Sequence, residues 1–146
     1  MDGNYRIIHT RFWSDNFIVE LDPLDRYVFL YILTNEHTNI AGIYELPMRL
    51  MEIETGLEKE TLKLILARLK ERIEYQEGWI WIKNFGKYQN FGSDDIKRAV
   101  IKIIAKIPDK ITGCMGGVGR VLGGWYIEEK RIEEYRIEKN RKEKKN

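Results

Sequence analysis

Cysteine, histidine and proline are scarce in this chain of 146 residues, and each scarcity excludes something. The single cysteine, Cys114, cannot close an internal disulfide, which suits a reducing, cytoplasmic compartment. The two histidines, His9 and His37, stand far apart in sequence, and no Cys/His/acid cluster has metal-ligand spacing. No catalytic set, cofactor or metal is expected. GVGRVLG at 117–123 has the glycines of a phosphate-cradling loop. It lacks the Gly-Lys-Ser/Thr ending and the strand-to-helix setting that would make it one. The three prolines act as punctuation, Pro23 and Pro47 at helix starts and Pro108 at a helix end. Long apolar runs are missing too. Nothing approaches the roughly 20 residues of a membrane span, and the opening MDGNYRIIHTRFW has no apolar centre of the signal-peptide kind. The expectation is a soluble, cytoplasmic, non-enzymatic protein with no membrane contact.

Charge is what the chain has in abundance, 33% of residues against 43% apolar, which points to a long solvated helix. Its net +2 hides a division. Residues 1–92 carry 11 Lys and Arg against 14 Asp and Glu, a net of −3; residues 93–146 carry 14 against 9, a net of +5. The length allows one core with an appendage. If the protein touches nucleic acid, charge favours the C-terminal third.

The chain is organised around 47–85. PMRLMEIETG reads as a helix of one to two turns with Pro47 first and Gly56 just past its end. In EKETLKLILARLKER, Leu62, Ile65, Leu66, Leu69 and Ile73 fall at i, i+3, i+4, i+7 and i+11, so one helix face is buried. IEYQEGWIWIKNF then alternates with period two around Gly78. Two helices on so short a joint cross steeply as a helix-turn-helix, and the hairpin makes it a winged one.

Upstream, YRIIHTRF (5–12) reads as an edge strand or a cover for the core, and Ser14 as the cap of a short turn. Asp22, Pro23 and Asp25 nearly form a capping box. Leu24, Tyr27, Val28, Tyr31 and Ile32 line one side of the helix that follows, and Phe29, Leu30 and Leu33 make it apolar almost all round. GIYEL is a short strand that pairs with the hairpin. The fold class expected is α+β, mainly helical: a winged helix-turn-helix with a small three-stranded antiparallel sheet, plus a C-terminal helical extension. The divisions are a winged helix domain at 1–92, an amphipathic basic helix at 93–108 capped by Ser93, a Gly-rich linker at 109–124 and a charged helical or disordered tail at 125–146.

Three groups of residues are candidates for contact. Lys59, Thr61, Lys63, Arg68 and Lys70 face outward on the second helix of the motif, the one that enters a major groove, where Lys and Arg meet guanine or phosphate and Thr a thymine methyl. Glu58, Glu60 and Glu71 interleave with them, so the same face also reads as a solvated, internally paired surface. In the hairpin, Trp79 and Trp81 share one side, as an oligomer interface or as stacking groups, with Lys83 and Lys87 beyond them for phosphate. Lys97, Arg98, Lys102 and Lys106 form a basic stripe, either a backbone grip or the polar half of an amphipathic helix.

RFWSD at 11–15, LTNEHTNIAGIYEL at 33–46, ETGLEKETLKLILARLKE at 54–71 and WIKNFGKYQ at 81–89 resemble the N-terminal domain of phage replisome organisers and DnaD-like replication initiation proteins. The resemblance covers about the first 90 residues. It implies a winged helix domain that assembles on origin-region, double-stranded DNA, self-associates and meets other replisome proteins. After residue 108 a Gly-rich stretch and a short charged segment stand where such proteins continue into a helical domain or long tail. Two alternatives stay open: a replisome scaffold that oligomerises without touching DNA, and a winged-helix transcriptional regulator.

Overall fold

The computed structural model describes residues 3–85, 93–114 and 135–145. They belong to two compact units, Met1–Met115 and Gly116–Asn146. In the first, a 3-10 turn (Thr10–Ser14) precedes α1 (Asn16–Val19) and α2 (Pro23–Thr34). Then come β1 (Ile43–Glu45), α3 (Met48–Thr55), α4 (Lys59–Arg68), β2 (Ile73–Gln76) and β3 (Trp79–Ile82). The unit closes with α5 (Asp94–Ala105) and α6 (Asp109–Cys114). Within the second unit, residues 135–144 form helix α7, exposed along its whole length, with Lys142 3.8 Å from Glu138. The fold is a winged helix.

The α3–α4 joint follows from Gly56, which takes φ +76° and donates its N–H to the Glu52 carbonyl, closing α3 in a left-handed cap. Pro47 caps α3 rather than opening it. Leu62, Ile65, Leu66, Leu69 and Ile73 are all buried, as their spacing predicts. The helix nevertheless ends at Arg68, and Ile73 reaches the core as the first residue of β2. Glu77 and Gly78, at φ +46° and +83°, form the tight turn that joins β2 to β3 with the twist a hairpin needs. β3 lies between β1 and β2, antiparallel to both.

Of the two readings of 5–12, the cover for the core holds: Phe12 is buried in it, Ile8 packs against it, and no strand forms. Three other local expectations need correction. Asp15, not Ser14, caps α1 through the Phe17 N–H, while the Ser14 hydroxyl bonds back to the Arg11 carbonyl. On α2 the buried face is Asp25, Val28, Phe29, Ile32 and Leu33, and Leu24 and Tyr27 are exposed. A helix apolar on every side gives periodicity nothing to choose between, and hydrogen bonding decides instead. The hydroxyls of Tyr27 and Tyr31 donate to Thr55 O (2.9 Å) and Glu54 Oε1 (2.7 Å), turning both rings toward α3. Residues 109–114, expected within the linker, form α6; the remainder of that stretch, 115–124, lies outside the described residues.

Both faces of the central strand β3 are buried. Ile80 and Ile82 face the main core with the buried faces of α2 and α4. Trp81 and its register partner Ile43 are buried on the other face, outside that cluster. Val100, Ile107 and Ile111, carried by α5, α6 and the joint between them, are buried too. An ion pair of 3.1 Å ties Lys110 to Glu77 at the hairpin tip.

Candidate nucleic-acid interface

Lysines from three separate places converge on one open groove of about 670 Å³ between α4 and the hairpin. Lys63 comes from α4, Lys70 from the turn after it and Lys83 from the end of β3; Leu66, Ala67, Ile73 and Tyr75 form much of the apolar lining. Lys83 is fixed by donating Nζ to the Lys70 carbonyl (2.9 Å) and by lying 5.8 Å from the centre of the Trp81 ring. Lys63 stays half exposed with only a loose 3.7 Å pairing to Glu60. Glu71 and Glu74 line the same groove, so its positive charge is partly offset. Lys59 is exposed at the leading end of α4, and Thr61 is half-buried beside it.

Arg68 takes a different place. Its guanidinium donates Nε and Nη2 to the two carboxylate oxygens of Asp25, both at 2.8 Å. Asp25 is only 2% exposed. This fork joins α2 to α4, and the hydrogen bonds that Arg68 donates to Asp25 hold its proton more tightly than usual. An arginine so engaged is a structural brace rather than a free probe for DNA. The sequence signal for its partner was an acid at position 25, three and four residues before the buried Val28 and Phe29, and so on the buried side of α2.

Trp81 is corrected as well. At 3% exposure it belongs to the monomer's interior and is not offered to a second copy. As the central strand, β3 has neighbours on both edges, and its Ile80, Trp81 and Ile82 are all buried. Trp79, at the strand's start, remains half-buried. Lys87 lies outside the described residues. On α5, Arg98 and Lys102 each stand two residues from the buried Val100, hence on the opposite face, and Lys106 follows one turn later. All three are exposed, with Arg98 3.8 Å from Asp95; Lys97 is half-buried.

Elsewhere in the described residues, Glu36, His37 and Glu54 bring ligand-type atoms within 4.8 Å of one another. Glu54 is already engaged by His37 Nε2 (3.0 Å) and the Tyr31 hydroxyl (2.7 Å). The group pins the Asn35–Asn39 loop to α3. Burial, then the hydrogen bond to Glu54, raises the Tyr31 pKa. The loop itself is turn chemistry: Asn35 Oδ1 accepts from His37 N, and Asn39 Oδ1 from Ala41 N and Gly42 N.

Set against protein-family models, curated proteins and solved structures, the chain gives no match.

Proposed function

We propose that this chain is a non-enzymatic protein of replication initiation that binds double-stranded DNA, with α4 in the major groove and the hairpin beside the backbone. One observation carries the DNA reading: Lys63, Lys70 and Lys83, from three elements, line a single groove alongside the second helix of a helix-turn-helix. The replication role rests on the residue runs that resemble replisome organisers. Origin DNA, a second copy of the chain and other replisome proteins are the partners this reading names, and the cytoplasm of a bacterial cell is the compartment. Among the described residues no helix is long and apolar enough to cross a membrane.

The test is duplex titration at two or more salt concentrations. Changing Lys63, Lys70 and Lys83 together to Gln removes up to three phosphate contacts and flattens the slope of log K against log salt by about 2.7. A parent protein with no duplex affinity at low salt would overturn the reading. A specific observation favours the scaffold as the second reading. Glu71 and Glu74 share the groove, and Glu58 and Glu60 stand at the leading end of α4, where phosphate would be repelled. Under that reading the same triple change leaves assembly mass and partner binding as they were.

A further inference from the structure

We infer that α4 selects thymine-bearing base pairs by apolar contact with the thymine C5-methyl group, an inference that rests on the DNA reading above. The buried side of α4 is Leu62, Ile65 and Leu66. The stripe opposite it, at i, i+3, i+4 and i+7, is Glu60, Lys63, Leu64 and Ala67, all exposed. Leu64 is 63% exposed and lies outside the apolar core. The centre of the outward face of a helix placed to read bases is therefore hydrocarbon.

What the stripe lacks narrows the choice. It carries no Asn or Gln to bond adenine through N6 and N7 and no Arg to fork onto guanine O6 and N7. The nearest arginine, Arg68, is held by both oxygens of Asp25. Glu60 accepts only from an exocyclic amino group, and Lys63, loosely paired with it at 3.7 Å, is the one cation of the stripe for guanine or phosphate. Of the base-edge features in a major groove, the thymine methyl is the one that an exposed Leu and Ala complement. Charge complementarity supplies the occupant. Lys63 lies on the stripe, Lys59 stands beside it, and Lys70 and Lys83 line the adjoining groove, which suits a polyanion along an apolar strip.

The experiment titrates the full chain by fluorescence anisotropy with three duplexes of equal length. One is A·T-rich, the second is the same sequence with uracil for every thymine, and the third is G·C-rich. Uracil keeps the pairing and the charge and removes only the methyl. The expected result is about tenfold weaker binding to the uracil duplex with an unchanged salt slope. Leu64→Ala and Leu64→Gln, at a surface position, should bring the two affinities together while phosphate-driven binding persists. Equal affinity of the parent protein for the thymine and uracil duplexes, with binding present, overturns the inference and spares the DNA reading. No affinity for any duplex sinks that reading first and this one with it. A change of oligomer mass in Leu64→Ala would then reassign the leucine to a protein contact.

Discussion

Gly42 stands just before β1 and Phe85 just after β3, and the fold presses them together. Gly42 has φ +71°, and a Cβ built there would lie 2.5 Å from Cγ of the buried Phe85. That contact is with the root of a ring, which has little room to swing. Gly42→Ala should therefore lose about 3 kcal/mol, from overpacking and a disfavoured left-handed conformation together, read by urea unfolding. The glycine itself was visible in the sequence; its distant partner was not, because nothing local encodes which ring closes over it. Tyr44 gives a second test at this scale. Its hydroxyl donates to Ile32 O (2.6 Å) and accepts from Asn35 Nδ2 (2.9 Å), and burial raises its pKa, as it does that of Tyr31. Unfolded chains release these protons near pH 10 while the native protein keeps them. Above that pH the unfolded state binds fewer protons, so stability, intact below about pH 10, falls as pH rises further. Tyr44→Phe should lower stability at neutral pH by about 1 kcal/mol and shrink the alkaline decline, both measured by denaturant melts across pH. Arg68→Ala should lower the thermal midpoint, with Arg68→Lys intermediate because an ammonium cannot fork. Duplex affinity of the folded Arg68 variants should drop less than that of the groove-lysine variant.

Elements differ in how far their own residues determine them. The turn at Gly56, the buried face of α4 and the hairpin about Gly78 were legible because each depends on spacing and backbone preference within a few residues. Alternation also put Trp79 and Trp81 correctly on one face of β3. It gave no means of knowing that Trp81 is buried, since burial depends on residues distant in the chain. The consequence is a split between the two indoles. Trp81→Ala empties a buried site and should cost about 3–5 kcal/mol in unfolding free energy. Trp79→Ala, at a half-buried strand end, should lose clearly less. Equal losses would argue that the far face of the sheet is open. The candidate site shows the same division: each groove lysine was nameable from sequence, but their meeting in one groove required the turn after α4 and the end of β3 to come together in space.

For the molecule as a whole, the charge division along the sequence does not become a clean division of surfaces. The acidic N-terminal residues build the winged helix and still leave Lys63, Lys70 and Lys83 on one groove. The basic Arg98, Lys102 and Lys106 stand on α5, within the same compact unit. If one duplex uses both patches, their contributions to counterion release add, because each cation near a phosphate displaces its own share of ions. Changing Arg98, Lys102 and Lys106 together to Glu should then flatten the salt slope by at least the roughly 2.7 expected for three lost contacts. If α4 reads thymine as proposed, the thymine-over-uracil ratio should stay as it was, since no residue of α5 lies on the Leu64 stripe. Combining these changes with the groove substitutions should bring duplex binding close to zero at physiological salt. An α5 variant with the parent's slope would confine the grip to the winged helix and leave Arg98, Lys102 and Lys106 as the solvated face of an amphipathic helix whose Val100 is buried.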